Sequence, residues 1–132
     1  MTLPLWCLAL ACLLPYMWIP FTVPERQAMP GGFDNARPRS QQAQLSGLGE
    51  RAVGAQSNAW EALPVFTAAV LTAHVAGADP TWSGRLAVAW VILRMIHGAA
   101  YLGNVHPLRS ASFGLGLLCA LSQFVLAAQG SP

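Results

Sequence analysis

At 132 residues the chain is 55% hydrophobic and only 9% charged, with a formal net charge of +2 and a mean hydropathy of +0.46. Such values suit a small integral membrane protein better than a soluble domain, and four spans of about 20 residues would leave no room for a second domain. All 7 basic residues are arginine, so no lysine-rich patch exists to hold nucleic acid, and the weak net charge gives little steering toward it.

Met1 to Pro24 is uncharged. A signal peptide normally opens on a positive segment and has a shorter apolar core, so this stretch reads as a retained span over about residues 3–23. Pro4, Pro15 and Pro20 should bend it, and Trp6 and Trp18 lie near its ends, as interfacial anchors often do, although Trp18 could equally pack inside. Residues 24–42 form a polar, proline-rich loop, with Ser40 as a candidate helix N-cap. Its DNARPR segment reads either as a turn whose arginines set topology or as a lid in which Arg37 and Arg39 meet an anionic ligand.

The second span, about 43–76, carries a polar face into apolar surroundings. At about 100° per residue, Arg51, Asn58 and Glu61 fall within roughly 80° of one another. Charged groups in hydrocarbon cost several kcal/mol or more, so these side chains must face protein or a wet cavity. Pro64 should kink the helix, and Gly77, Asp79 and Pro80 should stop it and turn the chain back on itself.

In the third span, about 83–102, Arg94, His97 and Tyr101 are three and four residues apart and share a stripe. His74 has no such company and reads as structural. After a break at Gly103 to Pro107, Arg109 and Ser110 open a fourth span, about 108–128. There Ala111, Ser112, Gly114, Gly116 and Ala120 would allow close helix packing. Arg26, Arg37, Arg39, Arg51 and Arg109 flank the first and third connections, which predicts that loops 24–50 and 103–108 are cytoplasmic. Cys7, Cys12 and Cys119 lie in apolar runs without metal-ligand spacing, so no metal site is expected. The expected architecture is a single all-α domain over 1–132, a four-helix transmembrane bundle.

Glu50-Arg51, Ala55-Gln56, Asn58, Glu61 and Pro64 resemble the second-helix signature of the MAPEG superfamily, the membrane-associated proteins in eicosanoid and glutathione metabolism. Arg94, His97 and Tyr101 have the spacing of the third helix of its glutathione-using synthases, and Pro107-Leu108-Arg109-Ser110 resembles the start of the fourth. The DNARPR loop looks like that of bacterial members, which implies a bacterial inner membrane.

The resemblance implies a homotrimer that binds glutathione near the cytoplasmic face and takes a lipophilic small molecule from the bilayer. Glutathione brings two carboxylates, an ammonium and a thiol with a resting pKa above neutrality. Arg51, Arg94 and Arg37 would meet its carboxylates, Glu61 its ammonium and Asn58 its amides, with His97 beside them as a proton shuttle or a simple hydrogen-bond partner. Arg109 matches the family arginine assigned to thiolate stabilisation, with Ser110 and Tyr101 as supporting donors. The chain departs from the pattern at Gly54, where the characterised eukaryotic synthases carry an arginine four residues before the asparagine, and at Ala62, where an aromatic or polar residue often follows the glutamate. Arg51, one turn earlier, is the candidate to replace the missing arginine. The expected function is a glutathione-dependent transferase or peroxidase. Its alternatives are a non-catalytic lipid-binding or scaffold protein on the same fold and a structural bundle or small transporter subunit.

Overall fold

The computed structural model describes residues 1–130, which are helical or irregular with no strand among them. In chain order the helices are α1 (Leu3–Met17), α2 (Val23–Ala28), α3 (Pro38–Gln42), α4 (Gly47–Val75), α5 (Pro80–Leu102) and α6 (His106–Gln129). A 3-10 turn, Ile19–Thr22, joins α1 to α2. Three stretches are long and apolar enough to cross a membrane: Leu3–Ala28, Pro80–Leu102 and His106–Gln129. α4, at 29 residues, is roughly 44 Å long at 1.5 Å per residue. That exceeds the roughly 30 Å of bilayer hydrocarbon. Its Arg51, Gln56, Asn58 and Glu61 leave it more polar than the other long helices.

The surface is built for lipid. Leu10, Leu13, Ile92, Leu115, Leu118 and Val125 point outward, while the interior between helices is rich in Ala11, Ala52, Ala55, Ala69, Ala73, Ala87 and Ala120. In hydrocarbon, burying large apolar groups brings little gain, so helices associate through close van der Waals contact between small residues. α6 shows the pattern: Ser112, Gly116 and Ala120, one turn apart, are its buried stripe. Gly114 and Ala111 fall outside it, because Ala111 is exposed and nothing lies within 4 Å of a Cβ placed at Gly114. A larger core forms where Phe66 stacks on Trp90 with ring centroids 3.8 Å apart.

Several sequence-based boundaries move. The first apolar helix stops at Met17 and continues as the 3-10 turn and α2, since Pro20 and Pro24 each begin a new element, where a missing N–H costs nothing. The segment expected as loop 24–42 therefore includes two short helices. Ser40 caps nothing: it lies inside α3, and α4 begins at Gly47 rather than near residue 43. Its first turn is capped from afar by the Glu25 carboxylate, which accepts from Ser46 N at 2.6 Å and Gly49 N at 2.9 Å. α4 continues through Pro64 to Val75. Trp18 is packed inside, against Gly98, whereas Trp6 stays exposed.

The proline-rich loop is held around one side chain. Gln41 Oε1 accepts from Arg26 Nε at 2.8 Å and from Asp34 N at 3.1 Å, while its Nε2 donates to Gly32 O at 2.7 Å and Arg26 O at 3.2 Å. Arg26, buried by this arrangement, stacks 3.8 Å from the Phe33 ring centroid. This loop, the start of α4, the end of α5 and the start of α6 share one end of the bundle; the α4–α5 turn and the start of α1 share the other.

Candidate functional site

The polar residues of α4, α5 and α6 meet at the loop-bearing end. Asn58, His97, Tyr101, Arg109 and Ser110, with Phe113, line one open cavity of about 280 Å³. They meet because α5 and α6 are antiparallel neighbours joined by a short turn, with Asn104 in the left-handed region at φ 57°. The last turns of α5 thus face the first turns of α6 across the start of α4.

Within the cavity the Arg109 guanidinium lies 4.6 Å from the Tyr101 ring centroid. His97 meets Tyr101 edge-on, with centroids 5.7 Å apart. Cation–π attraction holds the arginine head over the ring while leaving its N–H groups free to reach an anion. Tyr101 also leans on α4 at Gly54, where an added Cβ would lie 2.6 Å from the ring and 2.8 Å from the hydroxyl. The position that carries an arginine in the resemblance is here filled by a phenol from the next helix.

Arg94 and Glu61 face a second, mostly apolar cavity of about 150 Å³, whose other walls are Ala62, Val65, Trp90, Phe113, Leu117 and Ala120. Phe113 lines both spaces. Arg94 is only 5% exposed. It donates to Asn58 Oδ1 and lies 3.3 Å from His97 Nδ1, and its Nε has no partner among the described residues. A buried guanidinium whose hydrogen-bond partners are neutral is costly. It is a cation without a hydrogen-bonded counter-ion, facing a cavity.

Two expected site residues stand apart. Arg51 donates its Nε to Leu102 O at 2.9 Å, tying α4 to an otherwise open carbonyl at the end of α5, and it lines neither cavity. Arg37 belongs to a separate bowl of about 560 Å³ formed by the proline-rich loop, with Gly31, Asp34, Ser40 and Gln44. Arg51, Arg94 and Arg37, expected together, therefore lie in three different places. Sequence reasoning missed Phe113 and Trp90, although each lies four residues from an arginine already singled out and so on the same helical face. Among the described residues no group of three His, Cys, Asp or Glu could hold a metal ion. The polar groups present are guanidiniums, hydroxyls, an imidazole, an amide and the Glu61 carboxylate.

Comparison with curated proteins finds no match. The family model described as "MAPEG family" matches residues 3–129, nearly the full length and including every residue of both cavities. On that match the chain belongs to the MAPEG family.

Proposed function

We propose that the protein is an integral membrane transferase or peroxidase that uses glutathione, with the thiol at Arg109, Ser110 and Tyr101. The observation that carries this reading is the convergence of Asn58, His97, Tyr101, Arg109 and Ser110 on one cavity. A guanidinium held over a phenol ring stabilises a thiolate and so lowers the pKa of the bound thiol toward neutrality. Phe113 lines both cavities, and this reading lays the tripeptide along them with one end in each. Its amino-terminal end then meets the Glu61 carboxylate and Arg94, and Asn58 bridges to the middle.

In the transferase reaction the thiolate sulfur attacks an electrophilic carbon of a lipophilic substrate. A C–S bond forms and the leaving group departs with the electron pair. In the peroxidase variant the sulfur takes one oxygen from a hydroperoxide, giving a sulfenic acid and an alcohol, and a second thiol converts that acid to a disulfide and water. The apolar lining of Val65, Trp90 and Leu117 favours substrates dissolved in the bilayer. Assembly as a homotrimer in a bacterial inner membrane, with loops 24–50 and 103–108 cytoplasmic, is part of the same reading; the arginines crowding the loop-bearing end support the orientation.

Calorimetry of the purified, detergent-solubilised protein with glutathione, followed by turnover of a chlorinated aromatic electrophile, tests the proposal. Binding and conjugation are expected. Binding without turnover under any electrophile or hydroperoxide would favour a non-catalytic ligand carrier on the same fold, and no binding would remove glutathione from the account.

A further inference from the structure

We propose that Gly54 is a positioning residue, which seats the Tyr101 ring against α4 and thereby fixes where the Arg109 guanidinium stands. The geometry is a chain of contacts. A Cβ at position 54 would come within 2.6 Å of Tyr101 Cε1 and 2.8 Å of both Cζ and Oη, closer than real Cβ atoms approach other heavy atoms. Arg109 lies 4.6 Å from the same ring's centroid, and the His97 ring stands 5.7 Å away, edge-on. Any side chain at position 54 must displace the phenol from the place where it now meets these neighbours. Gly54 has no left-handed φ. Its helical backbone does not need glycine, so the lack of a side chain serves the contact and not the turn.

Two consequences follow. The absence of a side chain on α4 and the presence of an aromatic ring on α5 are one device, and neither position works alone. The catalytic consequence rests on the reading of the cavity as a thiol site, whereas the packing does not.

The test exploits the 2 tyrosines of the chain. With Tyr16→Phe and fluorotyrosine labelling, the full-length protein in nanodiscs gives a single fluorine NMR signal from Tyr101. In that background Arg109→Gln should shift the signal. Adding Gly54→Ala should also shift it and should abolish its response to Arg109→Gln. A response to Arg109→Gln that persists unchanged in the Gly54→Ala protein overturns the proposal.

With glutathione as the probe, Gly54→Ala should lower kcat about tenfold or more with little change in KM, since small misplacements of a reacting group carry costs of that order. The pH profile should move to higher pH. In a Tyr101→Ala background Gly54→Ala should have no further effect, and an equal effect there also overturns the proposal. Alanine forms helix more readily than glycine, so these losses cannot come from unwinding α4. If the wild-type protein binds no glutathione, the proposed function fails while the fluorine result still decides the role of Gly54.

Discussion

Buried polar groups occur at both ends of the bundle and are treated in opposite ways. At the end away from the loop, Ser83 Oγ donates to Gln123 Oε1 at 2.8 Å and Gln123 Nε2 returns a bond to Ser83 O at 2.9 Å. Gln123 is 0% exposed and its amide is matched on both sides. Nearby, Asp79 Oδ1 accepts from Thr81 N and Trp82 N, each at 2.9 Å, closing the start of α5. At the loop-bearing end Arg94 is nearly as buried but has neutral hydrogen-bond partners and an Nε with no partner among the described residues. The lesson is that hydrogen bonding inside the fold is complete at one end and incomplete at the other, where Arg94 shares a cavity with Glu61. Polar satisfaction thus separates the part that holds the bundle together from the part available to a ligand.

The sharpest way to break this contrast is Arg109→Ala. Glutathione-dependent kcat should fall about 100- to 1,000-fold, as when an oriented charge-stabilising donor is lost. The helical circular dichroism spectrum and thermal midpoint should be nearly unchanged.

Arg94→Met is expected to weaken glutathione about 10- to 100-fold by calorimetry, the size of one charge-assisted hydrogen bond. The same change should keep or raise the thermal midpoint of the ligand-free protein, because it removes a buried cation whose hydrogen bonds are only partly satisfied. A large loss of apo stability would mean that Arg94 is as structurally committed as Gln123.

Gln123→Leu should act in the reverse sense. It orphans the Ser83 hydroxyl and costs about 1 to 2 kcal/mol in an SDS unfolding titration, while glutathione affinity stays within about twofold, a change below 0.5 kcal/mol.

The smallest expected effect lies in the loop. The amides of Arg37 and Ala36 donate to Asp34 Oδ1 and hold its carboxyl below the ordinary aspartate range. A depressed folded pKa means that the contribution is present above the unfolded value, about 3.9, and is lost as pH falls through the folded one. Hydrogen exchange at Ala36 and Arg37 should therefore quicken, beyond its intrinsic pH dependence, below about pH 4. Asp34→Ala should produce the same loosening at neutral pH.

Much of the candidate site was legible as stripes. Arg94, His97 and Tyr101 follow the helical repeat, and the structure brings His97 and Tyr101 to the cavity that Arg109 and Ser110 share. Arg51 was legible as a polar residue on the right face, but its engagement with Leu102 O was not, because that depends on how far α4 slides along α5. The role of Gln41 was similarly hidden, since bonds to Arg26, Gly32 and Asp34 join short elements whose relative position no periodicity encodes. Gly54 was visible only as a missing arginine, and its meaning required the ring that lies on it.

Local chemistry alone determined that the chain is helical and suited to a bilayer, that its polar residues fall on particular helix faces, and that proline and glycine end particular segments. These depend on backbone geometry and hydropathy within a few turns. Tertiary structure alone decided that the polar faces divide between two cavities sharing Phe113, that Arg94 Nε has no hydrogen-bond partner among the described residues while Gln123 is satisfied, and that Tyr101 occupies the space above Gly54. A helical repeat sets the direction in which a side chain leaves its own axis. The register and rotation of one helix against the next, set by the packing of small residues, determine what that side chain meets.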